Sequence, residues 1–172
     1  MKQRFSYLTL LSVIILTSCD KTMPTGFWKA YKDNLIKVDI SDQGPWGGHR
    51  AMYWRGTRAN EFIKQDIIDF AAENGWTFVE EFDFNRADMD SWTCDNKKIF
   101  PLDYEGFNPA LRKINETHLY FPRWINGDIQ LLKFKTDWIT VTPGSGESYD
   151  AFGYVLLNVD KSEMSVYHLW GE

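Results

Sequence analysis

The stretch from Asn60 to Phe82 constrains the fold of this chain most, because its periodicity changes there without a linker. Phe62, Ile63, Ile67, Phe70 and Ala71 recur at the spacing of one helical face, and Glu61, Lys64, Gln65, Asp66 and Asp69 take the other side. Asn60 or Thr57 can cap the start, and Asn74-Gly75 supplies a left-handed stop, which predicts a main helix over about 60–74. The period then drops to two. Trp76, Phe78 and Glu80 are expected on one face of a strand, with Thr77, Val79 and Glu81 on the other. Upstream, Ile36, Val38 and Ile40 share one face of a strand, Ser41 to Gly48 reads as a glycine-rich loop, and Ala51, Tyr53 and Arg55 alternate with Met52 and Trp54 in a second strand. The result is a strand–helix–strand unit.

The last third reads as strands. Thr117 to Ile125 faces Ile129 to Lys135 across Asn126-Gly127, a strong hairpin signal. Trp138 to Thr142 continues the sheet, Pro143 to Ser148 interrupts it, and Phe152–Val159 with Met164–Trp170 forms a final hairpin across Asp160 to Glu163. Between Asp83 and Glu116 no period is sustained, although Pro109 suits the first position of a short second helix near 109–115. The expected class is α+β: a mostly antiparallel β-sheet with one main helix packed on it.

The N-terminus belongs to a different kind of segment. Lys2 and Arg4 precede an apolar run from Phe5 to Leu16, shorter than the roughly 20 residues of a membrane span but suited to a secretion signal. The run ends in Leu16-Thr17-Ser18-Cys19, which resembles the lipobox of bacterial lipoprotein precursors. That resemblance covers the signal only. It implies a diacylglyceryl group on the Cys19 sulfur, cleavage before Cys19 and acylation of the new amine, with palmitate a suitable label. The organisation expected is a signal peptide at 1–18, a lipidated tether at 19–26 and a single globular α+β domain at 27–172. The domain then lies outside the cytoplasm in a bacterial cell envelope, membrane-anchored at Cys19. Asp20 resembles an inner-membrane retention signal in some bacteria, so inner and outer membrane both remain open.

With Lys2 and Arg4 removed, 17 basic residues face 24 acidic ones, a formal charge of −7 that argues against nucleic acid and against electrostatic adhesion to anionic lipid. Acyl chains would have to do the anchoring, and more than one is needed for stable attachment. Cys94 alone remains once Cys19 is modified, so no internal disulfide is available. The abundant aromatics (8 Trp, 8 Tyr, 12 Phe) suit a β-rich core.

Little of the chemistry has a motif. His49, His118 and His168 lie far apart without a neighbouring ligand, and no metal or cofactor is expected. Asp83 to Asp90 lacks the sixth-position glycine and the twelfth-position glutamate of a calcium loop. Gly44-Pro45-Trp46-Gly47-Gly48 runs between strands rather than into a helix, unlike a phosphate loop. Glu80 and Glu81 point to opposite faces and make no acid–base pair. No catalytic residue is assigned. One constellation stands out: Trp46, His49, Arg50 and Trp54, with Arg55 and Arg58 beyond, gather residue types enriched at binding hot spots around a glycine-rich loop. The function expected is therefore a non-catalytic binding or interaction lipoprotein, an assembly factor or immunity-type protein whose partner is an envelope protein or an anionic ligand. The alternative is a small envelope enzyme acting on cell-wall glycan or another polymer. Two carboxylates roughly 5–9.5 Å apart in a groove would favour the enzyme.

Overall fold

Alternating apolar and polar positions build six long strands, and their pairing defines the molecule. The computed structural model describes residues 24–87, 124–141 and 146–171, together with the backbone of 93–94 and 97–98. Its strands are β1 (Ile36–Gln43), β2 (Gly47–Arg55), β3 (Thr77–Phe84), β4 (Thr93–Cys94), β5 (Lys97–Lys98), β6 (Ile129–Val141), β7 (Ser148–Asn158) and β8 (Glu163–Gly171). The main helix, α1, covers Lys64–Glu73, and two 3-10 turns occupy Gly26–Ala30 and Asp33–Leu35. The large sheet runs β1-β2-β8-β7-β6-β3 with every neighbouring pair antiparallel, while β4 and β5 pair separately. The chain is predominantly β, within the α+β class. No described helix is long and apolar enough to cross a membrane.

The strand–helix–strand run is a crossover. It leaves β2 near one edge and enters β3 at the other, so α1 passes over the three strands between. The helix begins later than its periodicity predicts. The amides of Asn60 and Phe62 bond to the carbonyls of Asp160 and Lys161 at 2.7 and 2.9 Å, which holds 60–62 against the β7–β8 turn. Ile63 therefore occupies the N-cap position, with no side-chain cap; neither Asn60 nor Thr57 serves. The C-terminus ends as expected. Gly75 at φ +88° lets its amide reach the Ala72 carbonyl and that of Trp76 reach Ala71, the paired bonds of a Schellman stop.

Both faces of the sheet are buried. Met52, Trp54, Leu132, Phe134, Val155, Leu157, Met164 and Val166 meet Phe62, Ile67 and Ala71 on the helix face, with Trp28, Tyr31 and Trp76 completing that core. Ala51, Tyr53, Leu131, Tyr154, Leu156 and Tyr167 form a second core on the opposite face with Ile125 and Ile129. The alternation read in β2 is thus real, but both of its sides are inside. Trp28 makes ring contacts with Tyr31, Trp54, Phe70 and Trp76 at 5.4–6.4 Å, which ties the first 3-10 turn to the helix and the sheet. Trp76 lies against Gly153 of β7, where an added Cβ would come within 2.1 Å of the indole.

Several expectations change. Register shifts between Ile36 and Val38, and between Phe78 and Glu80, move side chains to the other face partway along each strand. Ile36 consequently packs on the helix-side core and Val38 on the other, while Ile40 is part-exposed, at 38%. Only Gly44, Pro45 and Trp46 separate β1 from β2, because the ladder extends through Ser41–Gln43 and Gly47–Gly48. The hairpin across Asn126-Gly127 does not form. Residues 124–126 lie in no strand, and β6 from Ile129 to Lys135 already has β3 on one edge and β7 on the other. A strand has two edges only. The final hairpin forms as read, through β7 and β8. The short helix near 109–115 and the strand from 117 to 123 lie outside the described residues.

Candidate functional site

The four residues singled out in sequence sit on or beside one hairpin strand, and the pleat separates them. Trp46 occupies the tip of the β1–β2 turn, closed by the Gly44 amide on the Gly47 carbonyl at 2.8 Å, and it is 74% exposed. His49 stands in register with Asp42 and Leu169; burial holds its pKa below the usual imidazole value, with Asp42 opposing. Arg50, the next residue, points to the helix face and is 1% exposed. Its Nε and Nη2 donate to the two Asp39 carboxylate oxygens at 3.0 and 2.7 Å, and Lys29 approaches the same carboxylate at 3.4 Å. Trp54 is enclosed, its indole N–H donating to the Tyr31 carbonyl at 2.9 Å. Arg55 and Arg58 pair with Glu163 and Glu61. The structure brings Arg50 and Trp54 into the helix-side core and leaves Trp46 outside.

A second group is visible only in three dimensions. Arg50 stands opposite His168 in the β2–β8 ladder, and His168 is fully buried. The Thr136 hydroxyl donates to the Ala151 carbonyl at 2.6 Å, so its oxygen is left to accept from His168 Nε2–H at 3.3 Å. Nδ1 is then the acceptor, and the Thr25 hydroxyl donates to it at 2.5 Å. Burial between Trp76 and Trp170 pushes the imidazole pKa down to about 3, so the ring is neutral and its tautomer fixed. This relay fastens the first described residues of the chain to the middle of the sheet.

Three large apolar side chains are exposed near the end of β8. Gly171 pairs with Gly47 on one side and Thr140 on the other. A side chain at Gly171 would come within 2.1 Å of the Trp46 carbonyl oxygen, and its φ of +80° suits glycine. Trp46 therefore flanks Gly171 on one side while Trp138 and Ile139, 41% and 52% exposed, flank it on the other. The Trp138 ring also lies 6.3 Å from Trp170. A register shift between Lys135 and Ile139 turns Trp138 and Ile139 outward. Sequence reading placed both residues inside a regular strand, which is why the rim escaped it.

At the other end of β6 lies a cavity of about 440 Å³. Asp83, Asn85, Asp128, Gln130, Asn158 and Lys161 line it, with Phe84 and Val159 beside them. Gln130 Oε1 is buried there without a hydrogen-bond partner, and Asp128 accepts the Arg86 amide at 2.8 Å. Glu80 and Glu81 are elsewhere and apart, held by Lys133 and Lys64 on opposite faces. Among the described residues, no three His, Cys, Asp or Glu side chains gather as metal ligands. Cys19, His118 and the Cys94 side chain lie outside the described residues. No protein-family model, curated protein or solved structure matches this chain.

Proposed function

We propose that this chain is a lipid-anchored protein of the bacterial cell envelope with a non-catalytic interaction role, and that the rim of Trp46, Trp138 and Ile139 is its interaction surface. The lipobox resemblance at Leu16–Cys19 supports the anchor. The observation that carries the interaction role is the gathering of three exposed large apolar side chains around Gly171. Isolated apolar residues on a surface need no explanation, whereas three flanking one strand end offer a partner an apolar contact. In this reading Trp46 is the anchor residue, His49 stands beside the turn, and Arg50 and Trp54 support the hairpin from within. The test is a photo-crosslinking amino acid at position 46 or 138 in living cells. Ultraviolet light should then join the protein to an envelope component, lipid or protein, while the same residue at Lys37 gives none. Absence of adducts at both rim positions refutes the role.

The cavity at the far end of β6 supports a second reading, an enzyme acting on glycan, because Asp83 and Asp128 both line it. Paired carboxylates in a groove are the machinery of glycoside hydrolysis. Muropeptide release from cell-wall sacculi by the wild type, abolished in Asp83→Asn and Asp128→Asn, would establish this reading. Equal release by all three rejects it.

A further inference from the structure

We infer that the partner of the Trp46–Trp138–Ile139 rim is the interfacial layer of the very membrane that holds Cys19; this rests on the lipid attachment proposed above. The argument starts from chain length. Six residue steps separate Cys19 from Thr25, a reach of at most about 20 Å when fully extended. Thr25 is not free to wander, since its hydroxyl is bonded to the buried His168 ring at 2.5 Å and its carbonyl accepts the Trp28 amide at 3.2 Å. The lipid-bearing Cys19 therefore lies within about 20 Å of Thr25 whatever path the tether takes.

His168 and Gly171 are three residues apart on β8, about 10 Å along the strand. The opposite end of β8, at Glu163, is five residues from His168, about 17 Å away, so the rim lies at the end of the strand nearer the anchored Thr25. Gly47 and Thr140 pair with Gly171 from either side, which sets the two flanks of the rim about 10 Å apart. Among the described residues the other exposed large apolar side chains are scattered: Ile40 lies on the edge strand β1, Ile63 precedes α1, Val79 lies on the edge strand β3 and Val159 follows β7.

The side chains match the site. Tryptophan concentrates at membrane–water interfaces because its ring is apolar while its N–H still bonds water or headgroup oxygen. Two tryptophans and an isoleucine make a shallow apolar foot rather than an inserted segment. Exposed Asp137 beside Trp138 and exposed Glu147 near the start of β7 give the foot an acidic border. The seat therefore favours zwitterionic headgroups and weakens on anionic ones. A short tether also keeps the rim at high local concentration over the surface, so a contact too weak to hold a free protein still forms.

The experiment uses the full chain, processed in a bacterial host with labelled palmitate and reconstituted in phosphatidylcholine nanodiscs whose acyl chains are brominated near the headgroup or left plain. Bromine should quench the wild-type tryptophan emission. Trp46→Phe/Trp138→Phe, which keeps rings in place and should melt as wild type does, should lose at least half of that lipid-dependent quenching although six tryptophans remain. Replacing a third of the lipid with an anionic one should reduce the wild-type quenching. A labelled, anchored protein that shows no quenching, or equal quenching in the double variant, overturns the seating alone and returns the rim to a protein partner. A protein that takes up no palmitate overturns the anchor and the seating together.

Discussion

Acid should destabilise this protein most strongly at one imidazole. His168 is fully buried, neutral, and held by Thr25 and Thr136, with its pKa pushed down to about 3 from an ordinary 6.5. The unfolded chain binds a proton at His168 below pH 6.5 while the folded one does not until about 3, so protons favour unfolding throughout that window. The penalty is nil above pH 6.5, grows as pH falls and levels off below about 3. At about 1.4 kcal/mol per unit, it reaches about 3 kcal/mol at pH 4 and about 5 kcal/mol at saturation. Those magnitudes rival the whole stability of many domains. Urea titrations of wild type and His168→Gln from pH 7.5 to pH 4 isolate the effect, because every other titrating group is common to both. At pH 7.5 the variant should be the weaker by about 1–3 kcal/mol, having lost a fitted hydrogen-bond relay. By pH 4 the gap should close or reverse. Parallel pH profiles for the two proteins would refute the assignment of His168 as the acid-sensitive group.

Arg50→Ala should cost about 3 kcal/mol in urea unfolding by stranding Asp39, whereas Arg50→Met/Asp39→Leu should recover most of it; a loss below about 1 kcal/mol in the single variant contradicts the buried pair. Gly153→Ala should cost about 2–3 kcal/mol, since its Cβ meets the Trp76 ring, and Gly153→Ala/Trp76→Leu should regain part of that. Cys19→Ala should take up no labelled palmitate and should keep its first 18 residues, which a mass measurement of the envelope fraction checks.

Sequence disclosed what is local. The helical face of Ile67, Phe70 and Ala71, the Asn74-Gly75 stop and the β7–β8 hairpin are each settled by residues within a few positions of one another, and each was legible. The bulges at Ile36–Val38 and Phe78–Glu80 were not, because they are set by partner strands far along the chain. Asn126-Gly127 carries a hairpin signal that the structure overrides, β3 and β7 having taken both edges of β6. The same holds for the site. Arg50 reads as a surface cation until Asp39 is seen across the ladder, and His168 reads as one more strand residue until Thr25, 143 positions away, closes on it. Trp46 was identifiable because an exposed turn needs no distant neighbour to define it. Trp138 and Ile139 needed the register shift in β6.

The strand order has a consequence for how the molecule is made. β8 comes last among the described strands, yet it lies between β2 and β7. A ribosome delivering the chain from its N-terminus presents β1, β2, α1, β3, β6 and β7 while the slot joining the two halves of the sheet is still empty. Neither core can close before β8 emerges, because Met164 and Val166 fill one and Tyr167 the other. Contacts of such long range also form slowly. If the chain is exported as proposed, it must reach the translocation channel unfolded, and a sheet that waits for β8 keeps the nascent chain in that condition until β8 has been made.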